Sequence, residues 1–232
     1  MPTATSWNCL AFIAEHADPH VCERWPPIKV PRVGKLANLL DEAERDRAHA
    51  PAHIAELAAL GDKLLSGPKG YAALGAFNSD ERTRALDMLG FARQLVFATF
   101  SESTALAERL PIETRYGAAR AQNGAMAEFC SKDARLMGVA LLPLDDMPAS
   151  IAELEQILRL GLKAVWIPHR PCGGRSPGHN ELDPIWARLA EAHAEGGRQP
   201  LERFTASLTH ASESARTRFY SQDFADLFGL AS

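Results

Sequence analysis

The chain has 232 residues and a formal net charge of −4, and 46% of its residues are hydrophobic while 23% are charged. These values are typical of a globular protein and exclude a disordered, collagen-like or disulfide-rich chain. A mildly acidic chain without a basic stripe is not expected to bind nucleic acid, because such binding depends on clustered lysine and arginine.

The sequence has no segment that predicts contact with a membrane or export. Its apolar stretches are far shorter than the ~20 residues that cross a bilayer. Residues 1–10 lack the basic start and apolar run of a secretory signal. The four cysteines show no C-x-x-C spacing, and scattered free thiols suit a reducing compartment. The expected location is therefore the cytoplasm.

Residues 1–70 are predicted to form an irregular and helical amino-terminal segment, followed by a βα domain over 71–232. Helices are predicted in the first segment at 12–16, 35–48 and 51–65. The last two predictions depend on apolar residues that recur at intervals of three and four. Asp18-Pro19 is expected to interrupt the chain after the first helix, and Pro51 suits the first position of the last.

From residue 80 onwards the chain alternates between amphipathic and continuously apolar stretches. Helices are predicted at 80–89, 114–132 and 148–160, and buried strands at 94–100, 136–144 and 163–167. This alternation predicts an α/β fold with three parallel strands and surrounding helices. A loop over 170–180 follows, and then only helices are predicted, at 183–193, 199–209 and 212–228.

Several motifs follow one another in this region. The most specific begins at Asn123 on a helix, continues through Arg135 and an apolar strand, and ends at Pro143 and Asp145. The others lie at 75–82 (Gly-Ala-Phe-Asn-Ser-Asp-Glu-Arg), 94–100, 151–167, 182–186 (Leu-Asp-Pro-Ile-Trp) and 219–229. Together they resemble the amidohydrolase-2 family, which includes aminocarboxymuconate-semialdehyde decarboxylase.

The resemblance implies a (β/α)₈ barrel and a metal-dependent hydrolase or decarboxylase that acts on a small carboxylated or carbonyl substrate. The family implies one divalent metal, expected to be zinc. Its ligands are an H-x-H pair near the amino terminus, a histidine on a middle strand and an aspartate on the last strand. Ligands from different strand ends converge on one ion, and an open position holds water or substrate.

The chain departs from this ligand pattern at each step. It contains no H-x-H, and residues 1–11 do not resemble the first strand of the family. The position that matches the aspartate ligand falls on Ala190, and the segment from His193 to Arg198 resembles the far end of the barrel. The middle of the barrel is therefore expected to be missing, and no metal ligand or retained cofactor is predicted.

Three interpretations of function follow from these departures. The first is an impaired member, by descent, of this hydrolase and decarboxylase group, with a partial TIM-barrel-like fold. The second is an inactive binding or assembly module that pairs with a full-length relative through an exposed sheet. The third is a fragment of a gene model. Bare strand edges also predict homo-oligomers or aggregation.

Three residues after strand ends are predicted to bind substrate. His169 and Arg170 follow the strand over 163–167, and Asp145 follows the strand over 136–144. In βα barrels such positions open onto the active-site face, and arginine suits a carboxylate. His169 is alternatively a loop residue that caps a strand. Asp145 and Asp146 are candidates for a base or a ligand, although Asp146 better fits an ordinary helix start.

The remaining histidine and cysteine motifs have ordinary explanations. Two histidine pairs with the helical spacing of four residues are expected to be solvent-exposed rather than zinc-binding: His16 with His20, and His49 with His53. Cys130 is expected to be a packing residue, whereas Cys172 is expected to be exposed in a glycine loop. The loop over 173–178 does not have the order of a phosphate-binding loop, and is predicted to be a mobile, substrate-facing loop.

Overall fold

The computed structural model describes residues 11–25, 47–67, 72–98 and 102–195. The chain divides into two compact units, Met1–Leu182 and Asp183–Ser232, and each is treated by itself. The division predicted after residue 70 remains a prediction. Almost all of the helix predicted over 35–48 lies outside the described residues, as do those over 199–209 and 212–228.

The first unit contains a parallel sheet of three strands, β1 (Gln94–Val96), β2 (Leu136–Leu141) and β3 (Ala164–Trp166). Their order is β1-β2-β3, with β2 in the middle. Gln94 lies opposite Leu136, and Val139 lies opposite Ala164. The predicted α/β class with three parallel strands is therefore confirmed.

Seven helices of the described residues belong to this unit. They are α1 (Ala11–Ala14), α2 (Pro19–Arg24), α3 (Pro51–Ala58), α4 (Ser79–Leu89), α5 (Glu102–Ala105), α6 (Ile112–Cys130) and α7 (Met147–Arg159). The second unit contains α8 (Asp183–Glu195). No described helix combines the length and the hydropathy that crossing a lipid bilayer requires.

Two amino-terminal predictions are corrected by the backbone. The helix predicted over 51–65 ends at Ala58 and is followed by a 3-10 helix, Gly61–Ser66, because Gly61 takes a left-handed conformation with φ +52°. Asp18-Pro19 was expected only to interrupt the chain after the first helix, but it also begins a new one. Pro19 occupies the first turn of α2, where its missing N–H is not needed.

The segment at 75–82 forms a turn that is tied to the start of α4. Asn78 Oδ1 accepts a hydrogen bond from the Glu81 N–H at 3.1 Å, which caps the helix. Arg82 Nε donates to Gly75 O at 2.6 Å, and the Gly75 N–H donates to Glu81 Oε2 at 3.2 Å. The helix ends at Gly90, which has φ +68° and supplies the left-handed residue predicted there.

Helix α6 is the centre of the unit and is buried on most of its circumference. It packs on β2 and α5, and α1 and α2 also pack on it. A Cβ atom on Gly117 would lie 2.5 Å from Val21 Cγ2, so only glycine lets α2 come this close. A helix enclosed in this way shows little amphipathic periodicity, in contrast to the one-sided α7.

The strands of the sheet differ in their exposure. In the buried β2, a Cβ atom on Gly138 would lie 2.7 Å from Met126 Cγ of α6. Leu95 of β1 and Phe97, which follows β1, are 49% and 54% exposed. The prediction that the strand over 94–100 is buried is therefore wrong, because β1 is the edge strand of the described sheet. Among the aromatic pairs of the described residues, the ring of Phe97 packs edge-to-face on that of Trp166, with the ring centres 5.8 Å apart.

Candidate functional site

The carboxyl ends of β2 and β3 lie side by side and bring two predicted site residues together. Asp145 follows β2, Arg170 follows β3, and Arg170 Nη1 lies 3.5 Å from Asp145 Oδ1. A third residue comes from the first turn of α6: Arg115 Nη1 lies 2.5 Å from Asp145 Oδ2. We call Arg115, Asp145, Arg170 and Arg175 the strand-end cluster.

The strand-end cluster holds more positive than negative charge in its interior. Arg115 and Asp145 are each 5% exposed, and Arg170 is 22% exposed. Arg175 Nη2 donates to the backbone carbonyl of Asp145 at 2.8 Å. The other carboxylates near these arginines, Glu108 and Glu181, are largely exposed to solvent. Arg115 and Arg170 therefore share one buried carboxylate, and Arg175 binds the backbone carbonyl of the same residue.

Arg115 is not fully satisfied within the described part of the chain. Its Nε has no hydrogen-bond partner there, and Nη1 is close to Asp145 Oδ2 without the alignment of a hydrogen bond. A buried N–H without an acceptor is costly, and more so on a charged group. The arrangement therefore suits an additional acceptor with two oxygens, such as a carboxylate.

Arg170 is also anchored to the backbone of a neighbouring element. Its Nη2 and Nε donate to Leu106 O at 2.9 and 3.3 Å, and its Nη1 donates to Pro171 O at 2.8 Å. These bonds fix the guanidinium plane beside Asp145. Because such a fork is already oriented, less side-chain entropy is lost when it binds an anion.

The loop over 173–178 is anchored at its start rather than free. The Cys172 N–H donates to Arg175 O at 2.7 Å, and the Arg175 N–H donates to Cys172 O at 3.0 Å. Gly173 and Gly174 have φ +56° and +79°, as the two central residues of a type I′ hairpin turn require. The Gly-Gly pair in the sequence is the signal that could have predicted this turn.

Cys172 is buried, in contrast to the prediction that it is exposed. Its side chain is 1% exposed, and its thiol donates to Arg170 O at 3.3 Å. Burial raises the pKa of the Cys172 thiol, with the Asp145 charge acting in the same direction. The hairpin turn folds the side chain inward. Cys130 is a packing residue as predicted; it contacts Met126, and burial raises its pKa to about 11.

Tyr116 fixes the segment that leads from β2 to α7, a role that no pattern in the sequence indicates. Its hydroxyl oxygen lies 2.7 Å from Ser150 Oγ and accepts the Asp146 N–H at 3.1 Å. Burial raises the pKa of Tyr116. Asp146 caps α7 by accepting the Ala149 N–H at 2.9 Å, so the predicted helix start is confirmed.

Asn123 is a second buried residue whose structural partner the sequence did not reveal. Its Oδ1 accepts the Leu141 N–H at 2.7 Å, and its Nδ2 donates to Leu141 O at 3.0 Å. Nδ2 also donates to Glu153 Oε1 at 2.7 Å. The next N–H, on Leu142, donates to Trp166 O in β3, so Asn123 satisfies the side of β2 that faces away from β3.

His169 does not belong to the strand-end cluster. It is exposed, and within the described ranges its side chain forms no hydrogen bond or ion pair with Asp145 or Arg170. The prediction that it shares a substrate site with those two residues gains no support from its position. Arg170, one residue later, points inward instead.

The histidine pairs do not form zinc sites, but the prediction that all four are simply exposed is wrong. His16 Nε2 lies 2.9 Å from Glu128 Oε2, and His49 Nδ1 lies 2.8 Å from Glu81 Oε1. His53 Nε2 donates to Ala72 O at 3.1 Å. These three side chains are half-buried, and a turn separates the two members of each pair.

The residues of the strand-end cluster do not fit the divalent metal that the family resemblance implies. Within the described residues, no three histidine, cysteine, aspartate or glutamate side chains are grouped so that they could hold a metal ion. Asp145 is the one buried carboxylate of the cluster, and guanidinium groups contact both of its oxygens. A cation placed there would be repelled by the arginines.

Comparisons with models of protein families, with curated proteins and with solved structures gave no match to this chain. The fold and the site therefore define an α/β protein with a small parallel sheet and an arginine–carboxylate cluster at the carboxyl ends of its strands.

Proposed function

We propose that this chain binds a small carboxylate-bearing molecule at the strand-end cluster. The observation that carries the proposal is Arg115, a buried arginine whose Nε has no partner in the described part of the chain. Arg170 contacts the same carboxylate and is partly exposed, so an anion that approaches from solvent would first meet its guanidinium group. Ligands of parallel sheets commonly bind outside the carboxyl ends of the strands.

Descent from the amidohydrolase-2 family is part of this proposal. The segments from Asn123 to Asp145 and from residue 151 to 167 carry the resemblance, and they supply β2, β3 and one residue of the strand-end cluster, Asp145. The three arginines of the cluster lie outside these segments. In this account the chain is a partial (β/α)₈ barrel that keeps recognition of a carboxylated substrate and has lost the metal chemistry. No reaction step is assigned to it.

The test is titration calorimetry with succinate on the wild-type chain and on Arg170→Met. Loss of a charge-assisted hydrogen bond, about 1.5–3 kcal/mol, predicts roughly tenfold to hundredfold weaker binding. Arg159→Met is the matched control, because Arg159 is an exposed arginine on α7 that hydrogen-bonds Gln156. Binding should also weaken as sodium chloride is raised.

Two results would overturn this function. One is the absence of saturable succinate binding by the folded wild-type chain. The other is equal affinity of Arg170→Met and Arg159→Met, with both variants shown to be folded by circular dichroism. Arg115 is not substituted in this test, because removal of a partner from a buried ion pair destabilises the fold itself.

A second candidate function is assembly through the exposed face of the sheet. Leu95 of β1 and Phe97, which follows it, are about half exposed, and an apolar strand at a sheet edge is a template for another chain. The proposed partner is a second copy of this chain. Light scattering after size-exclusion chromatography should show association that Leu95→Lys abolishes. Ile151→Lys is the control and should leave association intact, because Ile151 is an apolar residue of α7 that is 39% exposed, against 49% for Leu95. A monomeric wild-type chain would rule this candidate out.

A further inference from the structure

A cavity separate from the strand-end cluster lies beside α6 and β1. It has a volume of about 80 Å³ and opens to solvent. The side chains that line it are mainly apolar, and they include Phe77, Val96, Phe97, Met126 and Phe129. Sites for small organic ligands are commonly lined by apolar side chains with a few polar groups.

Among the described residues that line this cavity, one has a polar side chain, and that side chain is incompletely paired. Gln122 on α6 is 6% exposed, and its Oε1 has no hydrogen-bond partner among the residues that the structure describes. Buried amide oxygens are nearly always hydrogen-bonded in folded proteins. A ligand that donates a hydrogen bond to this oxygen would therefore pair it without breaking any hydrogen bond that the oxygen makes within the protein.

The charges around the cavity restrict the ligand further. None of its described lining residues is ionisable, so a charged ligand would lose its hydration without a counter-ion. The guanidinium group of Arg82, which does not line the cavity, lies 6.0 Å from the centre of the Phe129 ring. The phenyl rings of the walls offer edges and faces to another ring.

We propose that this cavity binds a small neutral aromatic molecule that carries one O–H or N–H donor, which Gln122 Oε1 accepts. This site is independent of carboxylate binding, because no residue of the strand-end cluster lines the cavity. The ring would lie among Phe77, Met126 and Phe129, and its donor would point to α6.

Three probes of similar size distinguish the donor requirement in the wild-type chain. Phenol carries the donor, toluene carries neither donor nor acceptor, and anisole carries only an acceptor. Saturation-transfer NMR and calorimetric titration should show that phenol binds at least about fivefold more tightly than either other probe, as expected for one buried neutral hydrogen bond. This comparison needs no variant, so it decides the proposal even if a substitution unfolds the chain.

Variants then locate the contact. Gln122→Leu should reduce phenol affinity to the level of toluene, and Ala76→Leu, at the wall of the cavity, should weaken both probes. Gln156→Leu is the matched control, because Gln156 lies on α7 and hydrogen-bonds Arg159. The proposal is overturned if the wild type binds no phenol saturably, if the three probes bind equally, if anisole binds best, or if folded Gln122→Leu retains the preference for phenol.

Discussion

Substitution of Asn123 by alanine should remove the connection between α6 and the middle strand of the sheet. Asn123 is fully buried, and its amide replaces a missing strand neighbour by bonding both the N–H and the C=O of Leu141. Its Nδ2 also bonds the carboxyl group of Glu153, which is 2% exposed. Asn123→Ala leaves all three groups without their partner.

The expected cost follows from those three groups. A buried donor or acceptor that loses its partner costs about 1–3 kcal/mol. Water entering the space of the missing amide would recover part of this cost, so we expect a loss of roughly 3–5 kcal/mol in the free energy of unfolding. Since domains of this kind are stable by about 5–15 kcal/mol, the variant should be near its unfolding threshold.

Urea denaturation followed by circular dichroism measures this loss. Asn78→Ala is the matched control, because Asn78 only caps α4 through the Glu81 N–H, and loss of a cap costs about 1 kcal/mol. Asn123→Asp should lie closer to Asn123→Ala than to the wild type, since it keeps an acceptor for Leu141 but loses both donors. A loss for Asn123→Ala no larger than that for Asn78→Ala would refute the argument.

Three further outcomes are expected. Burial raises the pKa of Glu153 above its ordinary value near 4.5, so its contribution to stability is full below pH 4.5 and is lost as the pH rises through the folded pKa. Glu153→Gln should therefore gain stability relative to the wild type as the pH is raised from 4 to 8. A difference in urea midpoints that does not change with pH would contradict this. Gly174→Ala should lower the free energy of unfolding by about 1 kcal/mol, because Gly174 has φ +79° and no neighbour that a methyl group would touch, so only backbone strain acts. Gly178→Ala, without a positive φ, should leave it almost unchanged, and thermal melts of the two variants measure the difference. Alkylation by iodoacetamide at pH 8, followed by mass spectrometry, should modify Cys172 roughly tenfold more slowly than the half-buried Cys22, and equal rates would count against the buried thiol.

Local signals in the sequence were sufficient for most of the central elements. The apolar runs that became β2 and β3 and the helix start at Asp146 all act within a few residues, so their pattern is visible without a fold. The helix over 51–65 was predicted too long because Gly61 does not interrupt the apolar periodicity that surrounds it. The periodicity is a property of packing, whereas the break is set by one dihedral angle.

The candidate site was only partly predictable. Positions after strand ends indicated Asp145 and Arg170, because parallel strands bring their carboxyl ends to one edge. Arg115 was missed, since a helical arginine has the same appearance in the sequence whether it faces water or a buried carboxylate. His169 was included because it is next to Arg170, although adjacent side chains point in different directions.

The sequence by itself determined the order of the three strands and of helices α4, α6 and α7, the parallel sheet, and the arginine that follows its last strand. Each of these depends on hydrophobic spacing, on the chirality of the chain or on position after a strand end. Only the tertiary structure decided which polar groups are buried and what they contact. Asn123, Gln122 and Arg115 lie on the same helix and differ only in what packs against them. Burial and pairing arise between residues far apart in the chain, and no local pattern records them.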